Sequence, residues 1–146
     1  MAKHISNMDE LEKALLPQMT KMVGAMADRV YETLNYFLQE YYNSYNPKSY
    51  RRQYDFLRSA VKVEPKIVGN KVVASVYIDT DSMDNYNGVS GAQVASWANQ
   101  SLHGGLDVGE DTPRVWDDTI DQTVNNGELL HLAVEYLKKK GFSVRE

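Results

Sequence analysis

The chain has 146 residues, 42% hydrophobic and 25% charged, and no cysteine, which is the size of one ordinary domain whose core can form without disulfides or a thiolate metal site. The polar start MAKHISNMDE is unlike a signal peptide, and no window approaches the roughly 18 apolar residues of a membrane span, so an intracellular, non-membrane chain is expected. The formal charge of −4 does not favour nucleic acid overall, yet residues 1–73 carry 11 Lys/Arg against 8 Asp/Glu while residues 74–146 carry 5 against 12.

The first element is a long helix. Met8, Leu11, Leu15, Met19, Met22, Val23, Met26, Val30, Leu34, Phe37, Leu38, Tyr41 and Tyr45 recur at steps of three and four, the spacing of one helical stripe. Ser6 or Asn7 suits its cap, and Asp9 and Glu10 suit its N-terminal dipole. Pro17 lacks an N–H and clashes with the preceding turn, so a leading helix within 1–17 is expected to be set off from a main helix over 18–44. At 1.5 Å per residue the main helix would be about 40 Å long, more than a domain of this size covers, so part of its stripe is expected to meet another chain. Seven tyrosines, from Tyr31 to Tyr54, crowd its second half and the segment after it; rings with one wet end suit packing and interfaces, and beside Arg51 and Arg52 they could also stack on bases.

Asn46-Pro47 ends the helix, because the residue before proline is driven from helical geometry. From Leu57 the pattern becomes two-fold: Ala60 or Val61, Val63, Pro65 and Ile67, then Gly69-Asn70, then Val72, Ala74, Val76 and Ile78. That reads as a β-hairpin with a tight turn, its first strand an edge or bulged strand because of Pro65. Residues 79–91 have the composition of a long exposed loop. Ser90 can cap a short helix with the face Val94, Trp97, Ala98 and Leu102, stopped by His103-Gly104-Gly105. Thr112-Pro113 reads as a cap with proline at the first helical position, ahead of a buried stripe of Trp116, Ile120 and Val124 that Asn125-Asn126-Gly127 breaks. A last helix over about 128–140 uses Leu129, Leu132, Ala133, Tyr136 and Leu137, with lysines at its end and Gly141 as its cap, and Phe142-Ser143-Val144 could add a strand. The whole is a single α+β domain over 1–146: a long N-terminal helix, a small antiparallel sheet with a hairpin, and two to three shorter helices. Trp97 and Trp116 are expected in its core.

Little in the chain points to chemistry. Gly88-Val89-Ser90-Gly91-Ala92 is one residue from a nucleophile elbow and His103-Gly104-Gly105 resembles an oxyanion loop, but an elbow needs a strand before it, oxyanion glycines ahead of the serine and a larger sheet. Asp79, Asp81 and Asp84 with Asn85 and Asn87 supply oxygens to one loop without the spacing of a helix-loop-helix calcium site. His4, His103 and His131 form no ligand pair by spacing, and no glycine-rich phosphate loop follows a strand. Neither an enzyme nor a cofactor is expected.

Tyr45-Asn46-Pro47-Lys48-Ser49-Tyr50-Arg51-Arg52, closing a long helix ahead of Phe56-Leu57 and a hairpin, resembles the small neck proteins of long-tailed bacteriophages, called tail-completion, head-tail joining or minor tail component proteins. Ala95-Ser96-Trp97 on a short central helix, Thr112-Pro113-Arg114-Val115-Trp116 with Thr119-Ile120, and the basic ending Leu137-Lys138-Lys139-Lys140-Gly141-Phe142-Ser143-Val144 are similar in order to that family. The resemblance implies a virion protein, made in the host cytoplasm, whose copies form a ring between the head-side connector and the tail tube. Its partners would be neighbouring neck, connector or tail-terminator proteins, and DNA would pass through without sequence-specific binding.

The charge pattern then names an interface. Arg51, Arg52 and Arg58, with Tyr45 and Tyr50, form a basic aromatic edge, and the acidic loop with Asp79, Asp81 and Asp84, or the one over 107–111, is the edge of the next subunit that it would meet. The alternative is a nucleic-acid-binding or adaptor module using the basic, tyrosine-rich segment 45–71.

Overall fold

A computed structural model describes residues 7–44, 54–83, 89–103, 106–107 and 112–144. Helix α1 (Met8–Asn43) is followed by strands β1 (Ala60–Val68) and β2 (Lys71–Ile78), a 3-10 turn over Thr80–Ser82, and helix α2 (Gly91–Asn99). Short strands β3 (Leu102–His103) and β4 (Leu106–Asp107) precede helix α3 (Val115–Ile120), a π turn over Asp121–Asn125 and helix α4 (Glu128–Lys139). The fold is α+β.

Asn7 caps α1, its side-chain oxygen accepting from the Glu10 amide at 2.9 Å. The expected interruption does not occur: α1 is one helix of 36 residues with Pro17 inside it, about 54 Å long at 1.5 Å per residue. Pro17 lies on the exposed side between exposed Lys13 and Lys21, where water can satisfy the Lys13 carbonyl that a proline nitrogen leaves without a donor. Downstream the helix ends at Ser44, whose amide donates to Glu40 O at 3.0 Å and whose hydroxyl donates to Tyr41 O at 2.7 Å. The Asn46-Pro47 stop lies outside the described residues.

The core sits on the second half of α1. Leu34 and Leu38 are fully buried, joined by Tyr41, Tyr42, Phe56, Met83, Ala98 and Val115. Tyr41 and Tyr42 are therefore packing residues. Tyr41 donates its hydroxyl to Leu102 O and stacks on His103 at 4.0 Å, Tyr42 accepts from the Leu57 amide at 3.2 Å, and both rings meet Phe56. No residue of α1 before Met22 is buried, so its first four turns extend past the core.

The hairpin matches expectation at its turn and at its bulge. Gly69 takes φ +63° in the connection, and the register slips between Val63 and Lys66, so that Glu64 and Pro65 together oppose Ala74. Proline cannot donate to the ladder, and the bulge removes the need. The inner face lies along α1: Ala60, Val76 and Ile78 pack against the core, and Pro65 stands over Gly24, where an added Cβ would meet the proline ring at 3.4 Å. Lys62 pairs with Asp28 of α1, lies 5.8 Å from the centre of the Tyr31 ring, and approaches Glu64 at 3.3 Å.

The later helices depart from expectation in three places. Helix α2 ends at Asn99, and the chain turns at Ser101, which takes φ +61°; His103 then belongs to β3, paired with β4 through Leu102–Asp107 and His103–Leu106. Thr112-Pro113 is not the cap of α3. Arg114 occupies that position without a side-chain cap bond, and Asn99 of α2 supplies the acceptor instead: its Oδ1 takes the amides of Trp116 at 3.1 Å and Asp117 at 2.8 Å. The buried stripe of α3 and the π turn is Val115, Thr119 and Thr123, while Val124 is 51% exposed and Trp116, Ile120 and Trp97 are half-buried. Both threonines hide their polarity by donating to the backbone one turn back, at 2.7 Å each. Finally, α4 closes as a Schellman turn, with Phe142 N on Leu137 O and Gly141 N on Lys138 O, both at 3.0 Å, and Gly141 at φ +92°. Residues 142–144 form no strand.

Candidate assembly interface

The sequence-derived interface set is only partly described. Tyr45, Tyr50, Arg51, Arg52 and Asp84 lie outside the described residues. Arg58 and Asp81 are exposed and Asp79 is half-buried. The fold brings Arg58 and Asp79 to the same place, because Asp79 N donates to Ser59 O at 2.7 Å across the open end of the hairpin.

A different surface emerges from the register. Val61 pairs with Tyr77, Val63 with Ser75, Lys66 with Val73 and Val68 with Lys71. Side chains alternate across a strand, and the bulge shifts the alternation of β1 by one, so these eight residues share the face turned away from α1. Val63, Val68, Val73 and Tyr77 are 36–54% exposed, and Val61 is half-buried. Five of the eight are apolar, and the polar remainder is Lys66, Lys71 and Ser75, with no carboxylate. In the strand KVVASVYI one face is wholly apolar, Val72, Ala74, Val76 and Ile78, and the other carries Val73 and Tyr77 beside Lys71 and Ser75, so apolar surface lies on both sides of it. In this chain one side is covered by α1. Among the described residues the hairpin is also a two-stranded sheet, a ribbon whose edges no other described strand pairs with.

Charge is grouped elsewhere. Arg114 pairs with Asp118 and Asp121 at 3.0 Å and with Asp117 at 3.7 Å, forming an acidic end of α3 around one guanidinium; Asp118 foremost, with Asp121 and Asp117, holds that guanidinium above its ordinary pKa. Lys62 is likewise held above its usual 10.5 by Asp28 first and Glu64 second. An open groove of about 470 Å³ lies between Arg29, Glu32, Tyr36 and Phe37 of α1 and Gln122 and Glu128, with the Arg29–Glu128 ion pair at its wall.

Ser90, Gly91 and His103 have structural roles. Ser90 Oγ accepts from the Gln93 amide at 3.2 Å as the cap of α2, and Gly91 packs so closely on Thr80 that a Cβ would stand 2.2 Å from its carbonyl oxygen. His103 lies on the Tyr41 ring with Nε2 3.0 Å from Ser44 Oγ. Among the described residues no group of three metal-ligating side chains converges, and no helix is long and apolar enough to cross a membrane.

Residues 7–139 match the family model described as YomN. No curated protein and no solved structure matches the chain.

Proposed function

The chain belongs to the YomN family, which is phage-associated, and from that premise we propose that it is a structural protein of the phage neck, its copies forming a ring between the head-side connector and the tail tube. The observation that carries the reading is the outer face of the hairpin. A two-stranded sheet is marginal by itself, and this one keeps one apolar face on α1 and turns another outward, which supports a subunit that is completed by neighbours. The long α1, with no buried residue before Met22, supports the same reading.

The ring would pass DNA without reading it. Ten of the acidic residues lie between Asp79 and Glu128 with Arg114 as the single basic one, and acidic walls repel a polyanion and let it slide, whereas a basic lumen would retain it. In this role the chain performs no catalysis, needs no cofactor, and reaches the virion from the host cytoplasm by assembly with connector and tail-terminator proteins. Deleting its gene from an inducible phage tests the proposal by electron microscopy of the lysate. DNA-filled heads and separate tails, restored to joined particles by the gene supplied in trans, are expected; joined, infectious particles at normal titre without the gene would overturn it.

A further inference from the structure

Two surfaces of the chain extend beyond its core, and they are opposite in charge. The outer hairpin face carries Val61, Val63, Val68, Val73 and Tyr77 around Lys66 and Lys71. The first turns of α1 carry Met8, Leu11 and Leu15 on one stripe, Met8 being 76% exposed and the two leucines half-buried, and residues 8–21 hold Asp9, Glu10 and Glu12 against Lys13 and Lys21, with all three acids in the first turn and a half. One chain cannot bring them together, because its α1 already lies on the inner face of the same hairpin, with Pro65 over Gly24 and Lys62 paired to Asp28.

We infer that the occupant of the outer hairpin face is a second copy of this chain, and that the segment seated there is the acidic, apolar start of its α1, residues 8–21. Apolar stripe meets apolar face, and Asp9 and Glu12 meet Lys66 and Lys71. The two surfaces are different parts of the molecule, so the contact is heterologous and repeats from copy to copy, as a ring requires. Its size sets its strength. Nine residues of strand at about 3.3 Å each by roughly 10 Å of width bury on the order of 600 Å² over both partners, against about 1,200–2,000 Å² for a stable pair. Isolated copies therefore separate in dilute solution, and closure, where every copy uses both surfaces, holds the assembly. The inference rests on the neck reading for its setting, while the contact itself belongs to the purified chain.

The chain has no cysteine, so thiol cross-linking reports only on introduced positions. Full-length Leu11→Cys and Val73→Cys chains, carrying tags of different mass, are mixed at millimolar concentration and treated with a short bis-maleimide. The mixed species is expected to exceed either self-linked species at least fivefold. Lys66→Glu with Lys71→Glu in the Val73→Cys chain should lower its yield about tenfold, and Asp9→Lys with Glu12→Lys in the other chain should restore it. Self-linking of Val73→Cys in excess of the mixed species would show hairpins face to face and overturn the assignment. Absence of any cross-link, with the circular dichroism of both chains unchanged, would overturn it too. A mixed species together with normal particles from the gene deletion would leave this contact standing and remove the neck role; the converse pair of results would do the opposite.

Discussion

Asn99→Ala should destabilise the chain without touching any apolar contact of the core. Asn99 sits at the last position of α2, and its Oδ1 accepts two backbone amides, from Trp116 at 3.1 Å and Asp117 at 2.8 Å, at the start of a helix that has no side-chain cap of its own. Loss of an N-cap costs about 0.5–2 kcal/mol, and here two part-buried donors lose their acceptor together, which places the expected change near 2 kcal/mol. For a domain of this size each kcal/mol moves the thermal midpoint by roughly 2–4 °C, so the midpoint should fall about 4–8 °C. Asn99→Asp keeps an acceptor in the same position but adds charge beside Asp117 and Asp118, and should recover part of the loss, more at high salt than at low. Thermal and urea unfolding followed by circular dichroism measures both. An Asn99→Ala change below about 0.5 kcal/mol would refute the claim that α2 caps α3.

Leu38→Ala, at a position with no exposed surface, should cost about 2–5 kcal/mol, whereas Val73→Ala on the outer hairpin face should leave the stability of the dilute monomer within about 0.5 kcal/mol; equal losses would remove the distinction between core and interface. Ser90→Ala should cost about 1 kcal/mol as a lost cap and abolish no turnover, and a reproducible esterase or peptidase activity that vanished with it at unchanged folding would refute the capping role. Because Asp28 and Glu64 raise the pKa of Lys62, the stabilisation from that ammonium is present below its ordinary 10.5 and is lost as pH rises through the folded-state value. Lys62→Met should therefore show a smaller fall of the thermal midpoint above pH 10.5 than the unchanged chain.

Elements whose chemistry is local could be read from the residues alone. Gly69-Asn70 marks the turn, Pro65 marks an edge or bulged strand of which the structure has the bulge, Ser90 caps α2 and Gly141 closes α4, each because one residue type satisfies one backbone need. Errors arose where a distant partner decides. The proline rule is local, but α1 continues through Pro17, where the residue is exposed and water can reach the carbonyl that it leaves without a donor. The buried face of α3 lies one position from the apolar stripe because Thr119 and Thr123, polar in the sequence, spend their hydroxyls on the Val115 and Thr119 carbonyls. Its cap was misplaced because the acceptor comes from Asn99, far away in sequence.

The interface shows the same division. Pro65 marks an edge or a bulge, but the sequence does not show the bulge's consequence for side-chain parity: Val63 pairs with Ser75 on the outer face, while Pro65 rests on α1. In β2, Val73 and Tyr77 alternate with Val72, Ala74, Val76 and Ile78, and apolar residues at both parities are the signal of a strand with apolar surface on each face.

Electron cryomicroscopy of purified infectious particles tests the central claim most directly. The account predicts a closed ring of this chain at the junction of head and tail, with the start of one α1 lying across the outer face of the neighbouring hairpin. Particles whose neck density is fully explained by other proteins, with this chain absent from them by mass spectrometry, would contradict it.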